Sequence, residues 1–103
     1  MKSAYAVLVT PEAEAGIASA FHYIHVRSPA NAEKWLNVLY QRVGTLERMP
    51  RRCPSARESR YFGEDLRQLV FKSHRIVFRV EEAVGIVRVL YFRHAKQLPV
   101  RNG

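Results

Sequence analysis

The sequence predicts an α+β domain ordered β-α-α-β-β-β, in which an antiparallel sheet carries a two-helix hairpin packed on one face. Three observations predict it. Thr10-Pro11-Glu12 and Ser28-Pro29 are two helix starts, each followed by apolar residues at helical spacing. Three β-rich runs then lie back to back between Leu66 and Lys96, joined by short links. At 103 residues the chain suits one domain, 1–103, with a real core.

The elements follow in order. Residues 4–9 read Ala-Tyr-Ala-Val-Leu-Val, a first strand that suits a sheet edge. The run is too short for a secretory signal. At Thr10 a hydroxyl caps, Pro11 takes the first turn where its missing N–H costs nothing, and Glu12 meets the positive end of the helix dipole. Ala13, Ile17, Ala20, Phe21 and Ile24 form the apolar stripe, and the helix should end near Arg27. Ser28-Pro29 opens a second helix whose stripe is Ala32, Trp35 or Leu36, Leu39, Val43 and Leu46, closed by Met49 before Pro50. So short a link makes the pair an αα-hairpin. Tyr23 and Tyr40 fall at the edges of that layer. Pro50 to Asp65 reads as a loop, functional or a solvated connector, with Arg51, Arg52, Arg57 and Arg60 between its prolines and Gly63. Strands over 66–72, 74–81 and 86–93 should pair antiparallel through hairpins. The polar tail from Gln97 to Gly103 should fray.

Alternation is clearest in the middle strand. Ile76, Phe78 and Val80 point one way, while Arg75, Val77 and Arg79 point the other. The first face must be core. The face carrying arginine is where function is expected.

Charge supports that expectation. The net charge is +8, yet residues 1–47 balance Lys2, Arg27, Lys34 and Arg42 against Glu12, Glu14, Glu33 and Glu47. The whole excess lies in the second half, and all but Lys72 and Lys96 of its basic residues are arginine. Such asymmetry fits a polyanionic partner, nucleic acid or an acidic protein segment, and arginine favours forked contacts with phosphate or carboxylate. No apolar run is long enough to span a membrane. The lone Cys53 has no disulfide or metal companion and fits a reducing cytoplasm.

Most catalytic chemistries find no support. His22 and His25 lack a third metal ligand at a supporting spacing, so neither a metal nor a cofactor is expected. Cys53 lacks an orienting acid, and neither a phosphate-binding glycine loop nor a strand carboxylate pair occurs. The remaining candidates are Arg67, Arg75, Arg79, Arg88, Arg93, His94 and Lys96 with Tyr91. They could clamp phosphate, pair with partner carboxylates, or form a solvated face.

In order and spacing these residues resemble the RelE/ParE superfamily of toxins from bacterial type II toxin–antitoxin systems. The resemblance covers most of the chain. It runs through the Thr-Pro-Glu-Ala and Ser-Pro helix starts, Leu46-Glu47-Arg48-Met49-Pro50, Leu66-Arg67-Gln68-Leu69, His74-Arg75-Ile76-Val77-Phe78-Arg79-Val80, Val89-Leu90 and His94-Ala95-Lys96. It implies a small toxin neutralised by a cognate antitoxin that wraps it, with operator DNA contacted only through that antitoxin. Two branches diverge. RelE-like members cut mRNA on the ribosome, which here would set Arg75 and Arg79 on the scissile phosphate with Tyr91 or His94 relaying a proton. ParE-like members poison DNA gyrase without cutting, which would make Arg67, Arg75, Arg79, Arg93 and Lys96 a target-binding surface. The chain departs from the nuclease pattern: Arg67, Gln68 and Lys72 stand where closely spaced lysines are expected, and Phe92-Arg93-His94 replaces a terminal His-Tyr pair. The Ser-Pro-opened second helix and the Leu-Glu-x-Met-Pro turn look more like ParE and its plasmid-stabilisation relatives. A third reading is an inactive, toxin-like module that only binds an antitoxin.

Overall fold

The computed structural model describes residues 4–101. Strand β1 spans Ala6–Val9, helix α1 Pro11–His25 and helix α2 Pro29–Gly44. Two short 3-10 turns and a one-turn helix α3, Ser59–Phe62, lead to strands β2 Arg67–Phe71, β3 His74–Glu81 and β4 Ile86–His94. Both helix starts form as their sequences dictate. Thr10 Oγ1 accepts from the Ala13 N–H at 3.2 Å, Ser28 Oγ accepts from the Asn31 N–H at 3.4 Å, and each proline lies in the first turn.

The sheet order is β1-β4-β3-β2, so β1 is an edge strand, as its sequence predicts. The α+β class and the order of elements hold, but the sheet is mixed rather than wholly antiparallel. β2–β3 and β3–β4 are antiparallel hairpins, whereas β1 pairs with β4 in parallel, from Ala6 opposite Ile86 to Val9 opposite Val89. Hairpin links fix the direction of consecutive strands only. Nothing local fixes a strand against a neighbour so distant in sequence.

The two helices cover one face. Ala13, Ile17, Trp35, Leu39, Val43 and Leu46 pack on Phe71, Ile76, Phe78, Val87, Val89 and Phe92, all buried. Burying one such side chain contributes about 1.5–3 kcal/mol. Trp35 anchors the layer, its ring centroid 5.9 Å from Phe71 and 5.8 Å from Phe92. Gly16 lets α1 approach this closely, because a Cβ there would stand 2.5 Å from the Phe92 carbonyl oxygen.

The strand β4 changes phase. Val77 faces Tyr91 but Phe78 faces Val89, leaving Leu90 as the extra residue of a β-bulge. Before the bulge Val87 and Val89 face the helices; after it Phe92 does. Leu90 and Tyr91 therefore both turn to the opposite face.

Three expectations are overturned, two of them on that opposite face. The 50–65 segment is no solvated connector. Ala56 packs with Leu66 and Val77 as a second small core, and Pro50, Cys53 and Glu58 are buried. Length and arginine content read as solvation, but the apolar residues between the arginines tie the segment down. The tail is likewise engaged as far as it is described: Val100 N–H donates to Glu58 at 3.0 Å, and Arg93 Nη2 donates to the Leu98 carbonyl at 2.8 Å. Residues 102–103 lie outside the described residues. Met49, expected to close the core of α2, is 76% exposed, because its backbone turns into the left-handed region just past the helix.

Candidate functional site

The arginine face of β3 divides into a covered and an open half. At the covered end Arg75 is 3% exposed and Glu58 is fully buried. Arg75 Nη1 and Nη2 donate to the two Glu58 carboxylate oxygens at 2.9 and 2.8 Å, a forked pair, and Nη1 also reaches Gln68 Oε1 at 3.1 Å. Burial alone would push the Glu58 carboxyl up. The Arg75 hydrogen bonds and the Val100 and Glu58 backbone N–H groups outweigh it and hold the carboxyl down at about 2.

At the open end Arg79 and Arg88 converge on Glu81. Arg79 Nε and Arg88 Nε donate to Glu81 Oε2 at 2.8 and 2.7 Å, and Arg88 Nη2 donates to Oε1 at 3.0 Å. Arg79 Nη1 reaches Glu64 at 3.4 Å. Arg88 first and Arg79 second hold the Glu81 carboxyl at about 2. About a third of each arginine side chain stays exposed, at 35% and 32%, so these guanidiniums can present remaining N–H groups to a partner.

A groove of about 820 Å³ runs along α1 and ends at the β2–β3 hairpin and the close of β4. Ala15, Gly16, Ser19 and Tyr23 line its helical wall, Trp35 and Phe92 are among its apolar lining, and Lys72, His74, Arg93 and His94 line its far side. His74 stacks flat on Phe92 at 4.6 Å and meets the His94 ring edge-on at 5.2 Å. Burial, and then the neighbouring His94, lowers the His74 pKa, so this imidazole is neutral at pH 7. The groove is apolar in its middle and basic at one end, with Glu12 the one carboxylate in its lining. That arrangement suits an amphipathic, acidic peptide segment better than a phosphate chain. No group of three metal-ligating side chains occurs among the described residues.

The comparisons decide the family. Residues 7–99 match the model of the ParE toxin of the type II toxin–antitoxin system parDE. The chain belongs to the ParE toxin family. Among solved structures it is similar to the chromosomal ParDE toxin–antitoxin system of P. aeruginosa, with a TM-score of 0.71 and 15% identity over 89% of this chain and 97% of that one. It is also similar to the RelBE2 toxin–antitoxin complex of Mycobacterium tuberculosis, with a TM-score of 0.60 and 21% identity over 93% and 98%. Identities this low carry the fold alone. No curated protein matches the sequence.

In this ParE-family chain the predicted site residues do not form one surface. Arg67 lies on the helix-covered face with Leu69 and Phe71, not beside Arg75, and its Nη1 is spent on the carbonyls of Arg51 and Cys53 at 3.0 and 2.8 Å. Its single-face grouping with Arg75 and Arg79 is corrected. Arg75 faces the expected side but is buried. Arg79 and Arg88 are together and open. Tyr91 and His94 reach the rim of the groove from opposite faces of β4, because three residues separate them on a strand whose faces alternate: Tyr91 meets Phe62 at 6.3 Å and His94 lies beside His74. Burial, with Glu12 and Glu58 nearby, raises the Tyr91 pKa, so its hydroxyl keeps its proton. Arg93 bonds the tail, while Lys96 is exposed and in no ion pair among the described residues. Sequence reasoning missed Glu58, Lys72 and His74. Glu58 had one signal: it is the only acid between Glu47 and Glu64.

No helix among the described residues is long and apolar enough to cross a membrane.

Proposed function

We propose that this chain is the toxin of a type II toxin–antitoxin pair that acts in the cytoplasm by binding DNA gyrase, and that it breaks no bond itself. The observation that carries the reading is the burial of Arg75 in a forked pair with Glu58. A guanidinium that stabilises a cleaving transition state must meet the phosphate, and this one is already filled by a carboxylate under the tail. Tyr91 and His94, approaching from opposite faces, add no proton relay. The half-open Arg79 and Arg88 form the target-facing surface, with Lys96 beyond them on the sheet's far end. Neutralisation falls to a cognate antitoxin whose acidic amphipathic segment lies in the groove along α1, where Lys72 and Arg93 meet its carboxylates. Family membership supports the toxin–antitoxin part of this reading.

Pulse-labelling of DNA and protein synthesis just after inducing the chain alone tests it. DNA synthesis should fall first, and purified protein should inhibit gyrase supercoiling. A prior fall in protein synthesis, with cleaved mRNA, would replace this reading with ribosome-dependent cleavage. No fall in either, with folded protein present, would leave only an antitoxin-binding module.

A further inference from the structure

Met49 sits in the left-handed region at φ 48, ψ 53, a conformation that costs a non-glycine residue about 1–3 kcal/mol. It is also 76% exposed, so no core packing of its own offsets that cost. The turn has a structural task, since it drops Pro50 into a fully buried position. Asparagine or glycine would perform that task at lower cost. The methionine side chain therefore needs a reason of its own.

The mount beneath it is rigid. Arg52 Nη1 donates to the carbonyls of Arg48 and Met49 at 2.7 and 3.2 Å, and its Nη2 reaches Thr45 Oγ1 at 3.1 Å. Arg51 ties the same turn to Glu82 and Asp65. The Tyr5 N–H bonds the Glu47 carbonyl at 2.9 Å, fixing the turn to the start of β1. An apolar side chain thus projects into water from a turn held at three points. It stands in an open depression of about 650 Å³ shared with Tyr40, itself 43% exposed, and with Arg48. Arg48 and Arg52 line it with Glu47, while the adjoining Arg51 is paired with Glu82 and Asp65, so the lining carries a net positive charge. This corner adjoins the Glu81–Ile86 end of the sheet, whereas the groove along α1 opens at the His74–His94 end.

We propose that Met49 is an apolar anchor that inserts into a pocket rimmed by carboxylates on the protein the toxin attacks. The inference rests on the toxin reading but not on the identity of the target. Thioether side chains suit such anchoring because they are unbranched and polarizable. A protein fits better than a nucleic acid: Arg52 turns its two terminal nitrogens inward to the turn's carbonyls and the Thr45 hydroxyl, and an exposed methionine offers nothing to a phosphate backbone.

The test compares wild type, Met49→Asn and Met49→Leu for growth arrest on induction, thermal midpoint, and affinity for the co-expressed antitoxin. Asparagine tolerates the left-handed backbone, so Met49→Asn should melt no lower than wild type yet lose arrest potency by at least about tenfold. Met49→Leu should stay within about twofold of wild type, and antitoxin affinity should change less than about twofold in both. Undiminished arrest by a folded Met49→Asn chain overturns the inference alone. Loss of antitoxin affinity in step with loss of arrest also overturns it, by assigning Met49 to the neutralising contact. A wild-type chain that arrests nothing overturns the toxin reading and this inference together.

Discussion

Arg75 and Arg79 stand four residues apart on the same face of β3, and each meets a carboxylate at 2.8 Å. Their situations differ completely. Arg75 lies under the 50–65 segment and the tail at 3% exposure, while the Arg79 side chain keeps 35%. Cover, not residue type, makes the difference. An arginine sealed with its partner is a fixed structural part whose removal strands a buried charge. An arginine in a half-open network exchanges partners with water at little cost, so it can exchange them with another protein.

The largest expected effect breaks the covered pair. Glu58→Ala leaves the Arg75 guanidinium buried and unpaired, and should cost about 3–5 kcal/mol in thermal or urea unfolding. The double substitution Glu58→Leu with Arg75→Met should recover most of that loss, since an apolar pair of similar size removes both charges. Recovery no better than the single variant would mean the pair specifies the packing rather than merely filling it.

Acid should separate the two ends next. Glu58 and Glu81 both titrate at about 2 in the folded chain, below the ordinary value of 4.5. A depressed carboxyl contributes stability that is fully present above the unfolded value and is lost as pH falls through the folded one. The melting temperature should therefore decline between about pH 4.5 and 2. Glu81 is solvated, so Glu81→Gln should flatten that decline only slightly and lower the midpoint at pH 7 by an equally small amount. Glu58→Gln should flatten it and lower the neutral midpoint to a larger extent. Equal behaviour of the two variants at pH 7 would erase the distinction drawn between the regions.

The smallest stability effect belongs to the open end. Arg79→Ala should cost under about 1 kcal/mol, because its ion pairs are solvated. The same variant should weaken growth arrest if this half of the face meets the target. A fold loss as large as that of Glu58→Ala would show that the open network is structural too.

Much of this was legible in the residues. Helix starts carry their own caps and prolines, and alternation along 74–81 marks a core face and an arginine face, because both signals are local and periodic. The Leu46–Pro50 turn, the helix starts and the Leu-Arg pair at 66–67 also carried the family. What sequence reading placed wrongly depends on neighbours far along the chain. Arg67 was grouped with Arg75 because strand register between β2 and β3 was not in view, and one residue of register decides a face. The bulge at Leu90, which puts Leu90 and Tyr91 on one face, has no local signature either.

By itself, then, the sequence determined the elements, their order, the helix-facing stripe and the basic bias of the second half. Tertiary structure decided which arginines remain available. The 50–65 segment and the tail fold back over one half of a sheet face that reads as uniformly exposed, and they carry to it the buried carboxylate of Glu58. Local pattern fixes where a side chain points. Whether water or protein meets it there depends on contacts between distant segments, which no short window of sequence contains.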